Sequence, residues 1–291
     1  MIHFVFNPDS RDRTTGIYMM DAVRRAGLQF SWSPKGVPQF LTPELLIKID
    51  DGDLDHYQYN KTQSCPTFWW FIDSNTDMQR GIDIAKNFDT TLCADFSECK
   101  TVSEKLDQEV GWLPLACDPT YHNTTYSRLS DRPVDLGFSG SVGDCGGWNK
   151  NRPSLLKKVG GYFKNSMIRE TTKGQNVLVN GSCKVILNDN PWNNINMRHF
   201  EAISAGCILV SRKVEDNGME YLGLSDSVLF YETEDEAVDQ IKFALKNIEK
   251  FEEPSTDLAG YYWKNHTYSN RFNEIIEILR CSLEEKNNNA G

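Results

Sequence analysis

Short apolar runs of strand length alternate with amphipathic runs of helical length along the whole chain, and this alternation restricts the fold more than any other feature. Ile2-His3-Phe4-Val5-Phe6 reads as a strand, a polar loop follows, and Ile17 to Ala26 reads as a helix ended by Gly27. Leu45–Ile49, Thr67–Ile72 and Thr90–Ala94 read as further strands, with a helix from Glu98 to Val110. The polar stretch from Asp118 to Pro133 reads as a linker. The pattern then restarts: strands at Val134–Phe138, Val177–Val179, Lys184–Leu187, Cys207–Val210 and Ser227–Tyr231, with helices from about Pro153, around Phe200, over Asp235–Ile248 and over Tyr268–Leu283. The tail after that helix reads as disordered. Continuous apolar strands separated by helices demand parallel sheets covered on both faces. A length of 291 residues suits two such domains. The expectation is an α/β chain of two Rossmann-like domains, 1–132 and 133–267, facing a central cleft, with 268–291 as a closing helix and tail.

Composition excludes several classes. Hydrophobic residues at 39% and charged residues at 25% support real cores and argue against a disordered chain. Residues 1–132 carry 13 Lys/Arg against 19 Asp/Glu, and the remainder 18 against 22. Neither half is basic, so duplex nucleic acid is an unlikely partner. The N-terminus lacks the charge-then-apolar pattern of a secretory signal, and Phe68–Ile72 is far too short to span a membrane. The eight cysteines show no CxxC spacing and read as reduced thiols. Four N-x-[ST] sequons, at Asn60, Asn123, Asn180 and Asn265, are read as chance occurrences in an Asn-rich chain. The expected compartment is the cytoplasm.

Ligands of parallel α/β sheets collect at the C-terminal ends of the strands. The Gly/Ser-rich loop Phe138-Ser139-Gly140-Ser141-Val142-Gly143-Asp144-Cys145-Gly146-Gly147, followed by Lys150 and Arg152 at a helix start, can cradle phosphate; a flexible connection is the other reading. Asn196-Met197-Arg198-His199-Phe200-Glu201 is a helix that drops through Ala205-Gly206 into a buried strand. Its Arg198 and Glu201, at i,i+3, share a face and serve either a ligand or each other. Asp50-Asp51-Gly52-Asp53-Leu54-Asp55 reads as a solvated turn, because His56 stands where a calcium loop needs glycine. His122 and His199 have no spacing that suggests a metal, and His266 reads as a helix cap.

Residues 196–279 resemble the nucleotide-sugar domain of GT-B glycosyltransferases, and within them the CgeB-like (spore-maturation-protein) subgroup of the family 1/family 4-type enzymes. The likeness rests on NMRHFEAISAGCILVS, VLFYETEDEAVDQIKFAL and NHTYSNRFNEII, supported by DLGFSGSVG with Arg152 and, more loosely, by TFWWFIDSN and GWLPLACDPTYH. It implies a transferase that moves a sugar from a nucleotide-diphosphate donor to a hydroxyl acceptor, which could be glycan, protein or small molecule. It implies neither metal nor added cofactor. By the same resemblance Glu201 would bind the nucleotide ribose and Arg198 with Arg152 would clamp the diphosphate. Gly140 and Ser141 would lie in the phosphate loop, and Asn196 beside the donor. The family's Glu-x7-Glu pattern is broken by Asn193, which leaves open a catalytically inactive nucleotide- or glycan-binding module. The acceptor's proton would need a base from the N-terminal domain. Asp73 fits, although an Asx turn or cap would account for it too; Asp12, with Asp9 and Arg11, is the second candidate.

Overall fold

The computed structural model describes residues 1–8, 15–50, 64–74, 77–122, 128–143, 150–171, 175–190, 194–215, 218–224 and 228–289. In chain order the elements are β1 (Ile2–Val5), α1 (Thr15–Arg25), β2 (Phe30–Ser33), β3 (Leu45–Ile49), β4 (Thr67–Phe71), α2 (Met78–Ala85), β5 (Thr90–Cys93), α3 (Phe96–Leu106) and β6 (Val110–Trp112). They continue with α4 (Pro119–His122), a 3-10 turn (Leu129–Asp131), β7 (Val134–Ser139), α5 (Arg152–Tyr162), β8 (Ser166–Arg169), α6 (Gln175–Ser182) and β9 (Cys183–Asn188). The last are α7 (Met197–Ser204), β10 (Ile208–Arg212), α8 (Gly218–Tyr221), β11 (Val228–Tyr231), α9 (Glu234–Lys246), α10 (Ile248–Asn265) and α11 (Tyr268–Asn289). Two compact units result: residues 1–115 with 268–291, and residues 116–267.

The first unit holds a parallel sheet in the order β2-β1-β3-β4-β5-β6. Its strand β4 is buried at every position. Trp69 stacks on Phe71 on one face, while Trp70 on the other meets Tyr268 and donates its indole N–H to the Leu113 carbonyl at 2.9 Å. That two-sided burial is why the strand reads as an unbroken aromatic run rather than an alternating one. Helix α1 buries Tyr18, Met19, Ala22 and Val23 and carries Arg24 and Arg25 in its last turn, complementing the helix dipole. Helix α11 belongs to this unit: Tyr268 packs on Tyr18, with ring centroids 5.1 Å apart, and the buried Arg271 donates through Nε to the Pro114 carbonyl at 2.8 Å.

The second unit holds a parallel sheet in the order β11-β10-β9-β7-β8. Its core gathers Leu136, Phe138, Leu155, Val185, Leu187, Val210 and Ile241. The described parts of the segment read as a linker are built into this unit, so the boundary falls at 115/116 rather than 132/133. Leu129 joins the core, and the buried Arg132 donates to the carbonyls of Asn180 (3.1 Å), Cys183 (2.9 Å) and Ala205 (2.7 Å).

Other expectations are corrected. Val177–Val179 lies in helix α6, where Asn176, Val179 and Asn180 are buried at helical spacing and Leu178 is exposed. Burial of Asn180 also shields that sequon. The short, half-exposed strands β2, β6 and β8 were not expected. Helix α10 was hidden by its internal Pro254 and polar stretch, and α11 extends to Asn289 through the expected tail. Asp50 is buried rather than solvated; the rest of its acidic cluster is outside the described residues. All described cysteines are free, and no described helix is long and apolar enough to cross a membrane.

Candidate functional site

In the second sheet the connections diverge between β7 and β9: β7 leads to β8 on one side, whereas β9 leads to β10 on the other. Such a switch point leaves a crevice at the carboxyl ends of the two strands. There the backbone ends of β7 (Ser139, Gly140) and β9 (Asn188, Asp189) meet the first turn of α7. Asn196 caps that helix by accepting the Arg198 N–H at 3.1 Å on its side-chain oxygen. Gly206, at φ 68°, turns the far end of α7 sharply into β10.

Two guanidinium groups converge on the Phe138 ring, Arg198 at 4.8 Å and Arg152 at 5.7 Å from its centroid. Arg198 donates through Nε (3.0 Å) and Nη2 to the Ser139 carbonyl and through Nη1 to Asn188 Oδ1 (2.8 Å). Gly140, at φ 148°, holds a backbone conformation that side-chain-bearing residues rarely adopt, with Arg198 Nη2 packed against it. Arg152 donates through Nη1 to the Ser141 carbonyl at 3.3 Å, through Nη2 to the Asp189 carbonyl at 2.7 Å, and through Nε to Asp189 Oδ2 at 3.3 Å. Burial pulls the Arg198 pKa down to about 10; Glu201 opposes the fall and neighbouring Arg152 deepens it. At that value Arg198 remains charged at neutral pH.

Asp189 holds the cluster together. Its side chain is fully buried and also accepts from Arg212 Nε (2.8 Å) and the Tyr231 hydroxyl (3.3 Å) on Oδ1. Burial, then the Asp189 charge, push the Tyr231 phenol well above its ordinary range. Below Arg198, His199 is buried among Asn188, Asn196 and Ser211. Its Nδ1 lies 3.2 Å from the Asn196 N–H and 3.1 Å from Asn196 Oδ1, and its Nε2 3.2 Å from Ser211 Oγ. Burial chiefly, with the Arg198 charge, lowers its pKa to about 4. Glu201 lies one turn beyond Arg198, and its Oε1 is 3.3 Å from Nε2 of the fully buried His122. The structure thus brings together Gly140, Ser141, Arg152, Asn196, Arg198 and Glu201. Sequence reasoning missed Asn188, Asp189, His122, Arg212 and Tyr231. Asn188-Asp189 directly follow the apolar run Lys184–Leu187, at a strand end where ligands of such sheets collect; His122 closes the stretch GWLPLACDPTYH, but its spacing suggested no metal.

A profile of the glycosyl transferase-like family matches residues 127–277, more than half of the chain and all of this cluster except His122. The chain belongs to the glycosyl transferase-like family. Solved structures of similar fold include the Anabaena protein HepE in complex with UDP and glucose, at TM-score 0.67 and 10% identity, covering 97% of this chain and 100% of HepE. Sucrose-phosphate synthase from Thermosynechococcus elongatus matches at TM-score 0.64 and 8% identity, covering 98% and 100%. A mutant O-GlcNAc transferase from Thermobaculum terrenum matches at TM-score 0.56 and 9% identity, covering 100% of this chain and 68% of its own. At such identities the likeness speaks to the fold: two Rossmann-like halves, as in GT-B glycosyltransferases. No curated protein matches this family member in sequence.

The base candidates lie in the first unit. Asp73 is two residues beyond β4 and partly buried, and its N–H is held by Asp50 Oδ2 at 3.2 Å; the same oxygen accepts the Ile72 N–H at 3.3 Å. Asp9, Arg11, Asp12 and Asn193 lie outside the described residues. No described group of His, Cys, Asp and Glu has the arrangement of a metal site.

Proposed function

We propose that this family member transfers a sugar from a nucleotide-diphosphate donor to a hydroxyl acceptor. The observation that carries the reading is the pair Arg152 and Arg198, stacked on Phe138 and aimed at the switch point of the sheet. Charge develops on the diphosphate as the sugar departs. Two fixed guanidinium groups and the positive dipole end of α7 stabilise that charge without reorganising. In this reading no metal is needed, Glu201 takes the ribose hydroxyls, and Asp73 accepts the acceptor's proton. The acceptor is a glycan, protein or small molecule. The motifs quoted from 196–279 support membership of the CgeB-like subgroup, and free thiols suit a cytoplasmic setting.

The test is calorimetric titration of UDP, GDP, ADP and CDP, followed by release of sugar from the corresponding donors with and without EDTA. The expected result is binding of one nucleotide, weakened about 10- to 100-fold in Arg198→Ala, the size of charge-assisted hydrogen bonds. Turnover should survive EDTA. Binding without sugar release from any donor would favour a non-catalytic binding module. No binding at all would overturn the reading.

A further inference from the structure

We propose that His122 is the positioning residue for Glu201: it holds one carboxylate oxygen so that the other is presented to the nucleotide ribose. The inference rests on the reading of Glu201 as the ribose contact and names the residue that makes that contact selective.

The argument starts from the chain before the second sheet. Residues 117 and 118 are pinned in place: the Cys117 N–H donates to the His266 carbonyl at 2.9 Å, and Cys117 bridges Thr267 in parallel register. Asp118 is fully buried, and its Oδ1 accepts the Thr120 N–H at 2.8 Å, closing the turn that starts α4. One turn later His122 folds back so that Nδ1 accepts the Asp118 N–H at 2.7 Å. An acceptor at Nδ1 assigns the proton of the neutral ring to Nε2. Nε2 is the atom 3.3 Å from Glu201 Oε1. Both residues are buried, His122 completely, so the imidazole cannot itself reach a ligand, whereas Glu201 retains a little exposure. A carboxylate reading two vicinal hydroxyls must not rotate freely. The buried imidazole, packed 3.3 Å from one of its oxygens, restricts that rotation before the nucleotide arrives.

The experiment pairs the tightest binder among UDP, GDP, ADP and CDP with its 2′-deoxy counterpart, titrated into the full chain and into two variants. His122→Asn keeps an acceptor for the Asp118 N–H but loses the group facing Glu201. His122→Gln extends an amide N–H toward Glu201. The expected result is that His122→Asn reduces the ribo-to-deoxy preference about three- to tenfold, part of what a carboxylate–hydroxyl hydrogen bond supplies. Its affinity for inorganic pyrophosphate should stay within about twofold, and His122→Gln should recover at least half of the lost preference. An unchanged preference in a folded His122→Asn would overturn the proposal. So would an equal loss of nucleotide and pyrophosphate affinity, the mark of a merely structural role. If His122→Asn does not fold, the preference in His122→Gln decides: retained supports the proposal, lost overturns it. Wild-type protein that binds none of the four nucleotides overturns the transferase reading itself and takes this inference with it.

Discussion

Asp189→Asn isolates the charge at the centre of the site, because the two side chains have nearly the same shape. In the wild type the buried carboxylate receives Arg152 Nε, Arg212 Nε and the Tyr231 hydroxyl. An amide in its place turns one oxygen into a donor facing donors and removes the carboxylate charge that both guanidinium groups face. Removing one partner of a buried ion pair costs about 3–5 kcal/mol. Arg212 is 28% exposed in its side chain, so water screens part of its loss, and Arg152 keeps the carbonyls of Asp189 and Ser141. The net expectation is a destabilisation of about 2–4 kcal/mol, seen in urea as a lower midpoint with an unchanged slope. A double-mutant cycle adds the mechanism: Arg152→Met should cost at least about 1 kcal/mol less in the Asp189→Asn background than in the wild type, since the carboxylate it pairs with is already gone. A loss below about 0.5 kcal/mol, or an additive cycle, would refute the claim that Asp189 holds the arginines by charge.

His199 makes stability fall in acid. Its folded pKa of about 4 lies below the ordinary 6.5, so between those values the unfolded chain takes up a proton that the folded chain refuses. Stability is therefore full above about pH 6.5 and declines as pH falls to about 4, by roughly 3 kcal/mol in total. Urea midpoints across that range should show the slope, and His199→Gln should flatten it; equal slopes in the two proteins would contradict the assignment. Gly140→Ala introduces a Cβ at φ 148° against Arg198 Nη2. It should cost about 1–3 kcal/mol in backbone strain and weaken nucleotide binding as much as Arg198→Ala does. Titration with unaltered affinity would mean that the proposed nucleotide site does not depend on the conformation of Gly140.

Much of the architecture is legible because burial on both faces writes itself as unbroken apolar runs. Strands β3, β4, β9 and β10 are of this kind, and the runs over Leu45–Ile49, Thr67–Phe71, Lys184–Leu187 and Ile208–Val210 mark them. Elements at the margins carry weaker signals. Strand β8 is a half-exposed edge of four residues, and α6 buries two asparagines where a helix face usually shows apolar residues. Helix α10 contains Pro254 yet closes its cap against Tyr262. In the site, the ends of β7 and α7 were legible because glycines and arginines flank apolar strands. Asp189 was open to the same reasoning and was passed over among its neighbouring asparagines.

The sequence by itself determined the parallel α/β plan and singled out the stretch from Asn196 to Val210, which lies within the residues that the family profile matches. Both follow from local rules, the periodicity of burial and the conformations that caps and glycines permit. Only the tertiary structure decided that residues 116–132 belong to the second unit, that Asp189 faces two arginines and a tyrosine, and that His122 lies against Glu201. These are contacts between residues far apart in the chain. Their partners are chosen by strand order and by the need to satisfy buried charge, which no window of sequence contains.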